Sequence, residues 1–487
     1  MRPIVESMAE LTAIAQSPTV ATVAEAFAQA GEEFALVGGP VRDVLLGRKV
    51  TDLDFTTSAH PDKTRQILAS VAQKTWDLGR EFGTIAARVN GETVEVTTYR
   101  ADVYREESRK PEVSFSSRIE EDLVRRDFTI NALAFMLPEM RLVDVGGGVE
   151  DLLASRIDTP GTAERSFSDD PLRMLRAARF ASQLGFDVAD RVREAITEMA
   201  PRLEIVSQER IRDEFVKLIA ADDPIPGIRL MVETGLADEF IPELPQLRAT
   251  QDEHMRHKDV YEHSLTVLRQ AIALEKSRSA EAETAPDVTL RIACLLHDIG
   301  KPATRRFVGR RVTFYNHDLV GAKLARKRLR TMRFDNDTVK SVSRLIELHL
   351  RFFGYSDSEW TDSAVRRYVR DAGDELERLH ILTRSDVTTQ NPRKARRLKL
   401  AYDDIERRIA ELAEEEELAA VRPDLNGQQI MELLDLPPGP AVGAAYNYLL
   451  EVRLDEGPLG EAEAEQRLRE WWAEQDPQLF QRGGKKR

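Results

Sequence analysis

The sequence predicts an α+β chain, a small sheet domain followed by a long helical body. Short apolar runs punctuated by Gly, Pro and Asn-Gly crowd the first 145 residues. Beyond about residue 150 the apolar spacing changes to the helical period and strand-like runs become rare. The 487 residues suffice for about three domains. With 42% hydrophobic and 32% charged residues, a small disulfide scaffold, a collagen-like fibre and a fully disordered chain are excluded.

Each element of the first region has a local cause. Residues 20–30 form an Ala-rich helix pattern, and EFALVG is a strand ending at Gly38-Gly39. PVRDVLLG begins with Pro40, suited to a first helical turn, and stops at Gly47. DLDF (52–55) is a short strand, and Pro61 opens another helix. GTIAARVN and ETVEVTTYR flank Asn90-Gly91, a hairpin dipeptide. FTINALAFM fits helix or strand, and RLVDV ends the sheet. DDPLRMLRAARFASQLGF (169–186) and ERIRDEFVKLIAA (209–221) are amphipathic helices. The expected domains are 1–148, 149–245, 246–400 and 401–487, with a mobile loop at 276–287.

Charge is unevenly spread. The 70 Lys and Arg against 84 Asp and Glu give a net −14, against a non-specific DNA coat. RKRLRTMR (326–333) and RKARRLK (393–399) are basic, suited to RNA backbone contact or to a solvated helix face. Cys294 is the single cysteine and reads as a small core residue. With no leader-like start and no uninterrupted apolar run of 18, the expected location is a reducing cytoplasm, with no membrane partner.

The run 36–55, LVGGPVRDVLLGRKVTDLDF, carries the first chemistry. Gly38-Gly39 lets backbone approach a phosphate at a helix start, and Arg42 can fork onto the same phosphate. Asp52 and Asp54, two apart on a strand, share a face. Such a like-charge pair is costly without a cation, and Mg²⁺ suits oxygen ligands and substrate phosphates. Glu95 is the first candidate for a third carboxylate, Asp102 the second. Asp170 and Arg173, three apart, are expected on one helix face, with Arg176 and Arg179 continuing the stripe towards phosphate or base, or towards Glu194 and Glu198. A carboxylate beside a guanidinium can accept from the amino group of C or A and reject G and U.

These motifs resemble class II tRNA nucleotidyltransferases, the CCA-adding enzymes, and their bacterial poly(A) polymerase relatives, across nearly the whole chain. GGPVRD with DLDF is similar to the family's metal-binding motif. DLVRRDFTINALA (122–134) is similar to the sugar- and nucleotide-binding motif, and implies roles for Arg125, Arg126, Asp127 and Asn131. Asp127 is expected to orient an arginine or a ribose rather than bind metal. DVGGGVEDLLASRI (144–157) resembles the hinge, DDPLRMLRAARF (169–180) the base-reading template and ERIRDEF (209–215) the neck brace. The template opens Asp169-Asp170 where Glu-Asp is usual. Residues 100–115 resemble the flexible loop for switching from C to A, which favours full CCA addition. The resemblance implies a polymerase-beta-like nucleotidyltransferase head, then an all-helical neck, body and HD domain.

Seven of the eight histidines fall in 251–400. His263, His297-Asp298, His317, His349 and Asp386 form a candidate centre for Mn, Ni, Co, Fe or Mg²⁺. They resemble an HD domain of metal-dependent phosphohydrolases: His263, His297, Asp298 and Asp386 match its core pattern, His317 and His349 the positions added in two-metal members. His254 and His257 either face a substrate or lie near the site. His60 and His380 read as structural or surface, and Trp471-Trp472 as packing.

The expected activity is addition of C, C and A to a tRNA 3′ end (acceptor arm) from CTP and ATP, with two Mg²⁺ ions and pyrophosphate release. Poly(A) synthesis is one alternative. An HD-type RNA or nucleotide phosphohydrolase, or 2′,3′-cyclic phosphodiesterase, is another. Two complete acidic sites argue against a non-catalytic RNA-binding protein. The expected state is monomer or homodimer.

Overall fold

The computed structural model describes residues 2–50, 52–78, 83–100, 114–249, 259–278, 284–309, 311–355, 360–389, 391–416 and 422–475. Asp102, His254 and His257 lie outside these, as do most of 100–115 and the centre of the 276–287 loop. The chain divides into two compact units, Met1–Pro245 and Gln246–Arg487.

In the first unit seven strands form a mixed sheet: β1 Phe34–Val37, β2 Asp54–Thr57, β3 Lys74–Asp77, β4 Thr84–Val89, β5 Glu92–Thr98, β6 Leu133–Leu137 and β7 Arg141–Asp144. Their order is β3-β4-β5-β2-β1-β6-β7, and only β2 and β5 run parallel. Asn90 and Gly91 both take positive φ, which lets the β4–β5 hairpin turn in two residues. FTINALAFM resolves into a 3₁₀ turn, Thr129–Asn131, and then β6, whose five residues are all buried. Burial on both faces removes the alternation that would have marked a strand. β3 carries no such signal, being only four residues with its ends exposed. The core is anchored by Phe27, Phe34 and Phe55, stacked at 4.8 Å spacings between the helix Pro18–Gln29 and the sheet.

Two expectations about local structure need correction. The strand expected at 52–55 begins only at Asp54, so Asp52 precedes it. The helix expected over 169–186 is two helices, Ala163–Asp169 and Leu172–Leu184, broken at Asp170 and Pro171. Asp170 is extended there, as residues before proline are pushed to be. It does not share a helix face with Arg173.

Beyond residue 149 the chain is largely rather than wholly helical. Among the described residues two short ribbons interrupt it, Arg156–Ile157 with Asp187–Val188, and Arg306–Val308 with Arg311–Thr313. The helix Ile225–Glu233 packs on Leu172–Leu184 so closely that a methyl on Gly227 would overlap the Ala178 carbonyl, while the Gly227 amide donates to Ser182 Oγ at 2.9 Å. In the second unit, Gly300 likewise leaves no room before the His317 carbonyl. Buried side chains of Val288–Leu296, His317–Thr331 and Asn336–Leu348 form much of this unit's core. Trp471 stacks on Tyr448 at 4.7 Å beside Leu468, so the Trp pair is packing. Cys294 is buried, as is His380, whereas His60 is exposed.

Gly227→Ala is expected to destabilise the first unit by about 1–3 kcal/mol, the usual cost of overpacking. A lower urea midpoint with an unchanged slope checks this.

Candidate nucleotidyl-transfer and metal sites

The parallel pairing of β2 and β5 sets Asp54 directly opposite Glu95. Asp52, exposed, stands just before β2 and is near enough to influence both. Burial, chiefly, pushes the Asp54 carboxyl up. Arg126 pulls it back and Asp52 adds to the rise. Glu95 is likewise raised, by burial and then by Asp54 and Asp52. Two acids that resist ionising together, with a third carboxylate beside them, are a donor set suited to a divalent cation with oxygen ligands. Asp54 and Glu95 border a cavity of about 190 Å³ lined also by Thr97, Arg100, Arg125 and Arg126.

The cationic wall is held by a residue the sequence reading passed over. Asp122, with no solvent exposure, accepts from Arg125 Nη2 at 2.6 Å and Arg126 Nη2 at 3.0 Å. Burial would raise its carboxyl, but the two guanidinium groups outweigh that and hold it below the usual range. The signal was present: Asp122 is three and four residues before the arginines it binds, on and just after the helix Ile119–Val124. Gly38, at φ +78°, brings backbone to Arg126, where an added Cβ would come within 3.3 Å of Nη1. Gly39 opens the helix Gly39–Leu46.

A second network ties the remaining predicted residues together. Arg42 donates from Nε to Asp43 at 2.9 Å and from Nη1 to Asn131 at 2.6 Å. Asn131 donates to Asp127 at 3.0 Å, and Asp127 pairs with Arg176 at 2.6 Å. Against burial, Arg176 and the Asn131 bond hold Asp127 below its usual range. Arg179 pairs with Glu214 at 2.7 Å, not with Glu194 or Glu198, and its guanidinium lies 4.2 Å from the Phe180 ring centre. Arg42 and Arg176 approach the same ring at 5.3 and 5.9 Å. Arg173 reaches Ser166 Oγ at 2.9 Å and the Arg125 carbonyl at 2.7 Å, while Asp170 accepts from Arg210 at 2.8 Å. Arg210 and Glu214 left no local signature, because their partners Asp170 and Arg179 are tens of residues away, whereas Asp43 adjoins Arg42 and could have been found.

The second unit gathers its histidines and acids where helices start or stop. His263 lies in Val260–Arg278, His297 and Asp298 follow Val288–Leu296, and His317 opens His317–Thr331. His349 follows Asn336–Leu348 and Asp386 follows Leu376–Ser385. They form two sets, His263 with His297 and Asp386, and Asp298 with His317 and His349. The ligand-capable atoms within each set lie within 4.8 Å of one another. Nδ1 of His297, His317 and His349 faces the carbonyl three residues back, at 2.9, 2.8 and 2.6 Å. His263 Nδ1 lies 3.1 Å from Thr388 Oγ1. Carbonyl partners fix the tautomer that leaves Nε2 a lone pair, and Nε2 of His317 and His349 is buried with no hydrogen-bond partner. Burial and the neighbouring His297 pull His349 down to about 4, so it stays neutral at ordinary pH. Asp298 and Asp386 sit well below the carboxylate range, because the histidine and Lys301 partners of the one and the histidine partners of the other outweigh burial. Burial would lower His297, but Asp298 and Asp386 outweigh it and push it up to about 10, a positive charge that a bound cation would replace. Neutral His349, ionised Asp298 and Asp386 and the unpartnered Nε2 atoms of His317 and His349 fit divalent transition-metal ions.

Crowded acids facing braced guanidinium groups, on a mixed sheet with a helical continuation, define a nucleotidyltransferase head joined to a neck, with an HD-type centre in a separate unit. Family models agree in the same order: Poly A polymerase head domain over 34–158, probable RNA- and SrmB-binding site of polymerase A over 185–247, and HD domain over 260–413. An A-adding tRNA nucleotidyltransferase of Deinococcus radiodurans is 34% identical over 91% of this chain and 96% of its own. A CC-adding tRNA nucleotidyltransferase of Thermus thermophilus is 31% identical over 90% and 93%. CCA-adding enzymes of lactobacilli and a Geobacillus strain are 40–43% identical, but this chain spans only about half their length. The crystal structure of the Bacillus stearothermophilus CCA-adding enzyme in complex with CTP is similar with a TM-score of 0.63, 26% identity and coverage of 97% and 98%. The chain belongs to the class II CCA-adding enzyme and poly(A) polymerase family, with a C-terminal HD domain, and is a nucleotidyltransferase. Among the described residues no helix is long and apolar enough to cross a membrane.

Asp122→Ala is expected to cost on the order of 3–5 kcal/mol, by removing the buried acid to which both guanidinium groups donate. Because the Asp122 carboxyl is held down in the folded state, its stabilisation is complete above the ordinary carboxyl range near pH 4 and is lost as pH falls below it. Thermal unfolding across pH 3–7 should show a smaller acid-side fall in Asp122→Asn than in the parent. Elemental analysis should find transition metal in the parent and less in His349→Ala.

Proposed function

We propose that this chain is a CCA-adding tRNA nucleotidyltransferase, extending the 3′ end of tRNA by C, C and A from CTP and ATP. The observation that carries the reading is the Asp54–Glu95 strand pairing, with Asp52 beside it and the Asp122-braced Arg125 and Arg126 across one cavity. The CCA-adding relatives and the CTP complex of the similar structure support it. In the reaction the RNA 3′-hydroxyl attacks the α-phosphate, and pyrophosphate leaves. Asp52, Asp54 and Glu95 would hold Mg²⁺, which lowers the pKa of the hydroxyl and steadies the leaving group. Gly38, Gly39, Arg42, Arg125 and Arg126 bind the triphosphate and sugar. Asp127 and Asn131 orient Arg42 and Arg176. Asp170 and Arg173 read the base by exchanging their contacts to Arg210 and Ser166 for its edge. Arg179 holds the reading helix to Glu214. The single buried cysteine accords with a cytoplasmic enzyme.

A second reading has a specific basis. Two relatives that align over about nine-tenths of this chain are named A-adding and CC-adding tRNA nucleotidyltransferases. The HD centre, with metal at His263, His297, Asp298, His317, His349 and Asp386, would then be a separate phosphohydrolase site.

Products made by the purified protein on tRNA lacking its last three nucleotides, and on tRNA ending in CC, decide between these. Addition of C, C and A and then arrest supports the first reading. Extension of only one substrate supports a divided activity, and a long A tail a poly(A) polymerase. Asp54→Ala is expected to lower incorporation at least about a hundredfold. His297→Ala should leave it unchanged and abolish any metal-dependent phosphate release.

A further inference from the structure

The ribbon Arg306–Val308 with Arg311–Thr313 joins two segments of the HD pocket, His297-Asp298 and His317. Every residue of its first strand is exposed, with Phe307 at 68% and Val308 at 60%. Just beyond it Tyr315 is 73% exposed and Leu319 44%. A hairpin this short is at best marginal by itself. The pocket holds its base instead. Phe314 is buried, 5.7 Å from Lys301 Nζ, which bonds Asp298 at 2.8 Å. The Phe314 carbonyl meets His317 Nδ1 at 2.8 Å.

Cations accompany these exposed rings. The Arg305 guanidinium lies 5.1 Å from the Phe307 ring centre, and Arg306 is exposed. On the helix His317–Thr331, exposed Lys323, Lys327 and Arg330 continue from Leu319 at steps of four, four and three, hence along one face. In a chain of net charge −14 this is a local reversal of sign. A protein partner favours an interface core depleted of charge. Exposed aromatic rings followed along the chain by a row of exposed cations match single-stranded nucleic acid, whose bases stack and whose phosphates are spaced along a backbone.

We propose that this surface binds single-stranded RNA, with bases on Phe307 and Tyr315 and backbone along Lys323, Lys327 and Arg330. RNA held there lies on the segment that joins His297-Asp298 to His317 of the HD cluster.

The test uses the full chain and a 4-thiouridine-containing RNA octamer with no tRNA fold. Photocrosslinks mapped by mass spectrometry are expected on the peptides carrying Phe307 or Tyr315. Fluorescence anisotropy should show Phe307→Ala/Tyr315→Ala weakening the octamer about tenfold or more. The triple change Lys323→Glu, Lys327→Glu and Arg330→Glu should weaken it too, and lower the salt slope by about two. Crosslinks confined elsewhere, with affinity unchanged in both variants, overturn the proposal. So does a dimer in sedimentation velocity that Phe307→Ala/Tyr315→Ala dissolves, since a second copy then covers the surface.

Discussion

The buried carboxylate of Asp122 is the contact on which the head site rests. Two adjacent arginines carry like charges on flexible stems, and left alone they would repel and wander. One acid without solvent access binds both and points them at a cavity whose opposite wall is acidic. Burial and the neighbouring acids push Asp54 and Glu95 up, and Arg126 eases Asp54 towards ionisation. The wall is therefore preorganised for a ligand that brings both negative charge and cations. Pairing of Asp127 with Arg176 and of Glu214 with Arg179 extends the same device to the reading helix.

The second unit solves a related problem with histidine. Three of its buried imidazoles, those of His297, His317 and His349, spend Nδ1 on the backbone carbonyl three residues back, which fixes each ring with Nε2 turned away from it. The helix ends must meet closely for this, and Gly300 lets the segment after Asp298 lie against the start of the His317 helix. The cost of burying so many polar groups without their own partners is the reason such a cluster points to ions rather than to packing.

Much of this was legible beforehand because the signals are local. Gly38-Gly39 with positive φ at Gly38, the Asn90-Gly91 hairpin, Pro40 and Gly47 around one helix, and the histidines at helix ends each follow from neighbours in sequence. The start of β2 was misplaced by two residues, at Asp52 rather than Asp54, and a further error came from a period argument stretched across a proline. Pro171 separates two helices and pulls Asp170 off the face it was expected to share with Arg173. FTINALAFM stayed ambiguous because a strand buried on both sides has no alternation to read.

The sequence by itself determined the motif order, the α+β class, the two acidic centres and the residue types each would use, since these depend on composition and short spacings. Only the tertiary structure decided which partner each charged group takes. Arg179 chose Glu214 over Glu194 and Glu198, Asp170 took Arg210, and Glu95 came to lie opposite Asp54. Those choices depend on strand register and helix packing between segments tens of residues apart, and a long-range contact leaves no periodic trace in the chain that makes it.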